Sequence, residues 1–139
     1  MISVKKLGIV IFLVLSFLLL AACGNEGTGG EPLDVAALSQ ELLSAEVFTD
    51  ELTQVETEVA AEYYGITQED VKDARVYLST GATAEELAIF TANSSETAKN
   101  VVSGIQQRIS NQKTAFEQYL PAEISKLDAA YVLEASQGG

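Results

Sequence analysis

The sequence predicts an α+β domain of two layers, with helices packed on one face of a small antiparallel sheet. Apolar residues recur at spacings of three and four in residues 34–64 and 93–120, which is typical of amphipathic helices. The period changes to two within residues 74–92, which is typical of half-buried strands. Residues 23–139 number 117, enough for one hydrophobic core and too few for two. We therefore expect a single domain over residues 34–139.

The first part of this domain is predicted to be helical. Asp34 can cap a helix that runs to about Glu46, because its side chain can accept backbone N–H groups of the first turn. A second helix is expected near residues 54–64, and Gly65 can end it in a left-handed conformation. Its predicted apolar face contains Val55, Val59 and Tyr63. A short third helix is expected over Gln68–Asp73, with Thr67 and Asp70 in a variant capping box.

Three strands and one long helix are expected in the second part. Ala74, Val76 and Leu78 alternate with polar residues, and Leu87–Ala92 forms a second strand after a short turn, so the two favour an antiparallel hairpin. Asn93 with Glu96 predicts the start of the long helix. Its apolar seam contains Ala98, Val102, Ile105, Ile109, Phe116 and Leu120.

The chain ends in a strand and a turn signal. Ala129–Ala135 is predicted to be the third strand, and Gly138-Gly139 after it is typical of a hairpin turn. Because such a turn normally leads into a partner strand, we expect the final strand of the sheet to be missing from this chain.

The N-terminal residues have the parts of an export signal. Lys5 and Lys6 precede the apolar stretch Leu7–Leu20, whose 14 residues are fewer than the about 20 that span a bilayer. The following Leu20-Ala21-Ala22-Cys23 resembles the lipobox of bacterial lipoproteins. We therefore predict that residues 1–22 are a signal peptide, that cleavage falls between Ala22 and Cys23, and that Cys23 carries the lipid.

Residues 23–33 are predicted to be the lipidated cysteine and a flexible tether, because residues 24–32 are rich in glycine and lack an apolar face. The lipid on Cys23 would hold the protein on the outer face of the cytoplasmic membrane. Removal of residues 1–22 leaves 6 basic against 20 acidic side chains, a net charge of −14. This charge argues against nucleic acid as a partner. A protein partner is possible, and the sequence does not identify it.

Several segments together resemble one family of bacterial lipoproteins, the domain of unknown function numbered 4358, which is frequent in clostridia and their relatives. Besides the lipobox and tether, these segments are YYGIT (63–67), VYLSTGATAEELAIF (76–90), QQRISNQKTAFEQYLP (106–121) and YVLEASQGG (131–139). The resemblance implies an α+β domain on a Gram-positive surface. It implies no activity, and it brings no catalytic motif.

The residue types present exclude several kinds of chemistry. The chain has no histidine, and its one cysteine is the predicted lipidation site, so we expect no zinc site and no cofactor. Ser110 and Lys113 fit the S-x-x-K motif of penicillin-binding proteins, but the companion motifs are absent. The acidic pairs Glu58/Glu62, Glu69/Asp70 and Glu85/Glu86 are the other candidates for chemistry, and a solvated acidic face explains them more simply.

Tyrosines supply the last candidate site. Tyr63, Tyr64 and Tyr77 could line a ligand groove, or they could be packing residues with Tyr63 in the core. The sequence thus favours a membrane-anchored binding or interaction module without catalytic activity. The alternatives are a hydrolase that uses paired carboxylates and a surface protein that binds cations through oxygen ligands.

Overall fold

The computed structural model describes residues 8–14 and 33–136. Within these residues the strands form one antiparallel sheet in the order β2-β3-β4-β1-β5. The strands are β1 (Gly8–Val14), β2 (Thr53–Val55), β3 (Val71–Leu78), β4 (Glu86–Ala92) and β5 (Ala130–Ser136). The helices are α1 (Val35–Ser44), α2 (Thr57–Tyr64), α3 (Ser95–Tyr119) and α4 (Ile124–Asp128), with short 3-10 helices at Gln68–Asp70 and Pro121–Glu123. The predicted α+β class is confirmed.

Local capping signals set the helix ends close to where the sequence predicts them. The Asp34 side chain accepts the backbone N–H groups of Ala36 and Ala37, both at 3.0 Å, which satisfies two free donors of α1. Gly65 ends α2 at φ +62°, in the left-handed region that glycine adopts without steric cost. The cap of α3 lies one residue later than predicted, because Ser94 and Thr97 form the reciprocal capping box.

The β3–β4 hairpin forms the centre of the fold. Its strands pair antiparallel from Leu78 opposite Glu86 to Val71 opposite Ala92, with an irregularity between Val71 and Asp73. Every residue of β4 is buried, because β4 has neighbours on both edges and helices above and below. The predicted hairpin is confirmed.

The helices cover both faces of the sheet, which differs from the predicted single helical face. Alternate β4 residues point to opposite sides, and Ala88 and Phe90 pack with Tyr64 of α2 and Ile105 of α3. Leu87 and Ile89 of β4, with Tyr77 of β3, pack instead against α1 and the segment after it. That second layer consists of Val35, Leu38, Leu42, Leu43, Phe48 and Leu52. The apolar stripe of α1 therefore packs on the sheet face opposite to the one that α2 and α3 cover.

Strand β1 comes from the apolar stretch that the sequence assigns to the export signal. It pairs antiparallel with β4, from Ile9 opposite Thr91 to Leu13 opposite Leu87. It also pairs antiparallel with β5, from Gly8 opposite Ser136 to Val14 opposite Ala130. Consequently β4 and β5 run in the same direction, and β1 joins them. The predicted strand 129–135 is confirmed as β5.

Three local predictions are wrong. The predicted third helix is only the 3-10 turn Gln68–Asp70, since β3 already begins at Val71. The predicted second helix begins later, because Thr53–Val55 pairs with β3 as the strand β2. Its apolar face is also different: Val59 and Tyr63 are exposed, while the buried residues of α2 are Ala60, Ala61 and Tyr64.

No helix in the part of the chain that the structure describes is both long and apolar enough to cross a membrane.

Candidate functional site

Two adjacent glutamates, one just before β4 and one at its first position, are the most buried acidic residues among those described. Glu85 and Glu86 are each only 4% exposed, so the solvated acidic face predicted for this pair is wrong. The sequence predicts that neighbours on a strand point to opposite faces, and the structure confirms this, since the two carboxylates have entirely different partners. They therefore form two separate clusters.

The Glu86 cluster is a buried bidentate ion pair. Arg108 donates from Nε to Oε1 of Glu86 at 3.2 Å and from Nη2 to Oε2 at 2.9 Å. The Tyr64 hydroxyl donates to Glu86 Oε1 as well. The side chains of Arg108 and Glu86 are 16% and 6% exposed. The carboxylate is thus held by three donors from α2 and α3, and this contact ties both helices to β4.

Two tyrosine rings lie beside the Arg108 guanidinium. Its central carbon is 5.3 Å from the ring centre of Tyr63 and 5.7 Å from that of Tyr64, within the range of cation–π contact. Burial, together with the negative charge of Glu86, raises the pKa of the Tyr64 hydroxyl well above its ordinary value. Tyr64 therefore keeps its proton and acts as a hydrogen-bond donor.

The Glu85 cluster connects a loop to the C-terminal helix. Glu85 accepts the backbone N–H groups of Thr49 and Asp50 at 2.8 and 2.9 Å, and the Thr49 hydroxyl at 2.7 Å. Lys126 of α4 lies 2.9 Å from Glu85 Oε1 and 3.0 Å from Glu123 Oε2. Burial alone would raise the pKa of Glu85, but these hydrogen bonds outweigh it and hold the pKa below its ordinary value.

Neither cluster has the geometry of a carboxylate hydrolase. Such an enzyme needs two carboxyl groups facing each other across a cleft, one of them with a raised pKa. Glu85 and Glu86 diverge, each is bound by a cation of its own chain, and the pKa of Glu85 is lowered. The arrangement can stabilise the fold, because both carboxylates already accept hydrogen bonds from side chains or backbone groups of the same domain.

The other acidic pairs lie apart from these clusters. Glu58 and Glu62 are exposed on α2. Glu69 is exposed, and the Asp70 carboxylate accepts a hydrogen bond of 3.2 Å from the side-chain amide of Asn100. Among residues 33–136, no group of three acidic side chains is placed to hold a metal ion.

The S-x-x-K residues and the tyrosines do not form a common site. Ser110 is exposed on α3, and Lys113 pairs with Asp128 at 2.8 Å. Tyr64 is buried in the core behind β4. Tyr77 is buried on the opposite face, where its hydroxyl lies 3.0 Å from the hydroxyl of Ser39. Tyr63 is 51% exposed, so the three rings do not line one groove and Tyr63 is not a core residue.

The sequence patterns do not identify Arg108 and Lys126 as the partners of the two glutamates, although two signals point to them. Arg108 follows the buried Ile105 by three residues, which places it at the margin of the apolar seam of α3. Lys126 follows Glu123 by three residues across a helix start. The predicted cleavage and lipidation residues, Ala22 and Cys23, lie outside the described residues.

A family model described as a domain of unknown function, DUF4358, matches residues 45–137, more than half of the chain. No curated protein and no solved structure matches the chain. The matched residues include both glutamate clusters and the strands β2 to β5. The chain therefore belongs to the DUF4358 family.

Proposed function

We propose that this protein is a lipoprotein, held by lipid on Cys23 at the outer face of the cytoplasmic membrane, and that its domain is a binding module without catalytic activity. The observation that carries the proposal is the sequence Leu20-Ala21-Ala22-Cys23, placed after a basic and apolar segment and before a glycine-rich tether. Two acyl chains on one cysteine anchor a protein stably, whereas a single chain binds weakly.

The chemistry of the domain supports the binding role. Its two most buried carboxylates are paired with Arg108 and Lys126, and the Tyr64 hydroxyl keeps its proton. These groups bind one another inside the domain, so they are not free to act on a substrate. The carboxylates of Glu85 and Glu86 point away from each other, which argues against the hydrolase alternative.

Metabolic labelling with a fatty-acid analogue tests the anchor. The wild-type precursor, expressed in a bacterium that has a lipoprotein signal peptidase, should be labelled and shortened by 22 residues. Cys23→Ala should remove both the label and the cleavage, because the thiol receives the lipid before the peptidase acts. Thr28→Ala, in the tether, is the matched control and should behave as wild type.

A Cys23→Ala variant that still incorporates the label would refute the anchor. Crosslinking on intact cells, followed by identification of the captured molecule, tests the binding role. Turnover of a substrate by the purified domain, lost in Glu85→Gln or Glu86→Gln variants that remain folded, would refute it.

A further inference from the structure

Helix α2 carries two apolar rows, and only one of them lies in the core. Ala60 and Tyr64 are four residues apart and are buried between the helix and the sheet. Val59 and Tyr63 have the same spacing but are 39% and 51% exposed. Because side chains four residues apart lie together on one helix face, Val59 and Tyr63 form a continuous apolar strip, the α2 strip. The described part of the chain leaves this strip partly uncovered, and tyrosine is enriched in protein interfaces.

The ring of Tyr63 is held in place before any partner arrives. The guanidinium carbon of Arg108 lies 5.3 Å from the ring centre, and Arg108 is itself fixed by two hydrogen bonds to Glu86. Helix α3 also packs closely on this end of α2, since a Cβ on Gly104 would lie 2.6 Å from the Tyr64 carbonyl oxygen. A side chain that is already ordered loses less conformational freedom on binding, so Tyr63 is suited to be a contact residue.

An acidic row runs along the α2 strip. Glu58 and Glu62 are exposed and four residues apart, and Glu62 follows Val59 by three positions, so the two rows are neighbours on the helix. The positive charge of Arg108, on the other side of the strip, is balanced by its pair with Glu86. This face of α2 therefore combines apolar contact area with negative charge, which attracts a cationic partner and repels an anionic one.

We propose that the α2 strip and the acidic row beside it bind a basic segment of another protein, in which an apolar side chain stands next to lysine or arginine. The apolar side chain would pack on Val59 and Tyr63, and the cations would lie beside Glu58 and Glu62. The proposal rests on the binding role proposed above and names the chemistry of the partner.

A second copy of the chain fits this surface less well. Two copies that meet through the same face would bring Glu58 and Glu62 close to their own equivalents. A copy also offers little positive charge, because four of its six basic side chains after Cys23 are paired with acids of the same chain, namely Arg75, Arg108, Lys113 and Lys126. The same carboxylates disfavour an anionic membrane surface.

Fluorescence anisotropy of a labelled peptide LKKLLKKLLKKL, titrated with the full chain at low ionic strength, tests the apolar part of the surface. Tyr63→Ser should weaken binding at least about 10-fold, because it removes the aromatic anchor. Tyr63→Phe keeps the ring and should bind as wild type. Tyr131→Ser is the matched control, since that ring is 55% exposed on the opposite face of the sheet and should contribute little.

The charged part of the surface needs a control with the same net charge. Glu58→Gln with Glu62→Gln should weaken binding, whereas Glu117→Gln with Glu134→Gln removes two exposed charges elsewhere and should have a smaller effect. Added salt should weaken binding to the wild type and reduce the difference between the two double variants. A peptide with serine at every leucine should bind more weakly than the original. Circular dichroism checks that each variant remains folded.

Four outcomes would overturn the proposal. The first is no binding of the peptide, and the second is an equal loss in Tyr63→Ser and Tyr131→Ser or in the two double variants. The third is a dimer that Tyr63→Ser abolishes, which would make a second copy the occupant. The fourth is a partner on intact cells that a photocrosslinker at position 131 captures and one at position 63 does not. That result would leave the binding role standing and place it on another surface.

Discussion

The buried ion pair between Glu86 and Arg108 gives the sharpest test of how this fold is stabilised. Arg108→Ala removes both charge-assisted bonds to Glu86 and leaves that carboxylate with the Tyr64 hydroxyl as its remaining donor. The Glu86 side chain is only 6% exposed, so water can solvate it only in part once the guanidinium is removed. The perturbation therefore leaves a buried charge without its counter-ion.

The expected magnitude follows from that burial. Removing one partner of a buried pair costs about 3–5 kcal/mol, a large part of the about 5–15 kcal/mol that stabilises a typical domain. The pair between Lys113 and Asp128 provides the matched control on the same helix, with side chains that are 36% and 62% exposed. Lys113→Ala should cost about 0–1 kcal/mol, because water screens exposed pairs.

Urea denaturation at pH 7, followed by circular dichroism, measures both costs. The double variant Glu86→Met with Arg108→Met removes both charges and should recover part of the loss, because apolar groups of similar size need no counter-ion, while the buried Tyr64 hydroxyl loses its acceptor. Equal losses for Arg108→Ala and Lys113→Ala would refute the reasoning. A double variant as unstable as Arg108→Ala alone would show that packing around the guanidinium matters more than its charge.

Three other variants test local features. Glu85→Gln should cost about 1.5–3 kcal/mol at neutral pH. Because the pKa of Glu85 is lowered on folding, its contribution is present above the ordinary value of 4.5 and is lost as the pH falls through the folded-state pKa. The difference in unfolding free energy between wild type and Glu85→Gln should therefore become smaller below that pH. A difference that stays constant with pH would contradict this. Gly104→Ala should destabilise by about 1–3 kcal/mol despite better helix propensity, because a Cβ there would lie 2.6 Å from the Tyr64 carbonyl oxygen. The exposed Ser103→Ala is its control, and a more stable Gly104→Ala would disprove the contact. Ser94→Ala should lower the melting temperature by an amount equivalent to about 0.5–2 kcal/mol through loss of the α3 cap. Asn93→Ala keeps that cap and removes only the hydrogen bond from the Asn93 side chain to the Glu69 carbonyl, so it should cost less. An unchanged melting temperature in Ser94→Ala would contradict the cap.

Much of the fold could be predicted where the signal is local. Asp34 caps α1 and Gly65 ends α2 because capping depends on residues within one turn. The β3–β4 hairpin follows from two alternating segments joined by a short turn. The long helix α3 has enough turns for its apolar seam to be distinct, although the buried set includes Val101 and Gly104, which the predicted seam omits.

Where a short segment has apolar residues on more than one side, its own pattern cannot choose the buried face. In α2, both Val59 with Tyr63 and Ala60 with Tyr64 are spaced by four residues. The second set is buried because β3 and α3 pack on that side. Similarly, Thr53–Val55 is too short to predict as a strand, and pairing with β3 makes it one.

The sequence by itself determined the acidic net charge, the lipobox pattern, the N-cap of α1, the C-terminal end of α2 and the α+β class, because each depends on residue type or on neighbours along the chain. Only the tertiary structure decided that Arg108 pairs with Glu86 and Lys126 with Glu85, at separations of 22 and 41 residues. It alone also placed helices on both faces of the sheet and Gly8–Val14 between β4 and β5. The physical reason is that a charge or an apolar stripe specifies what kind of partner it needs, while the path of the whole chain determines which partner comes within reach.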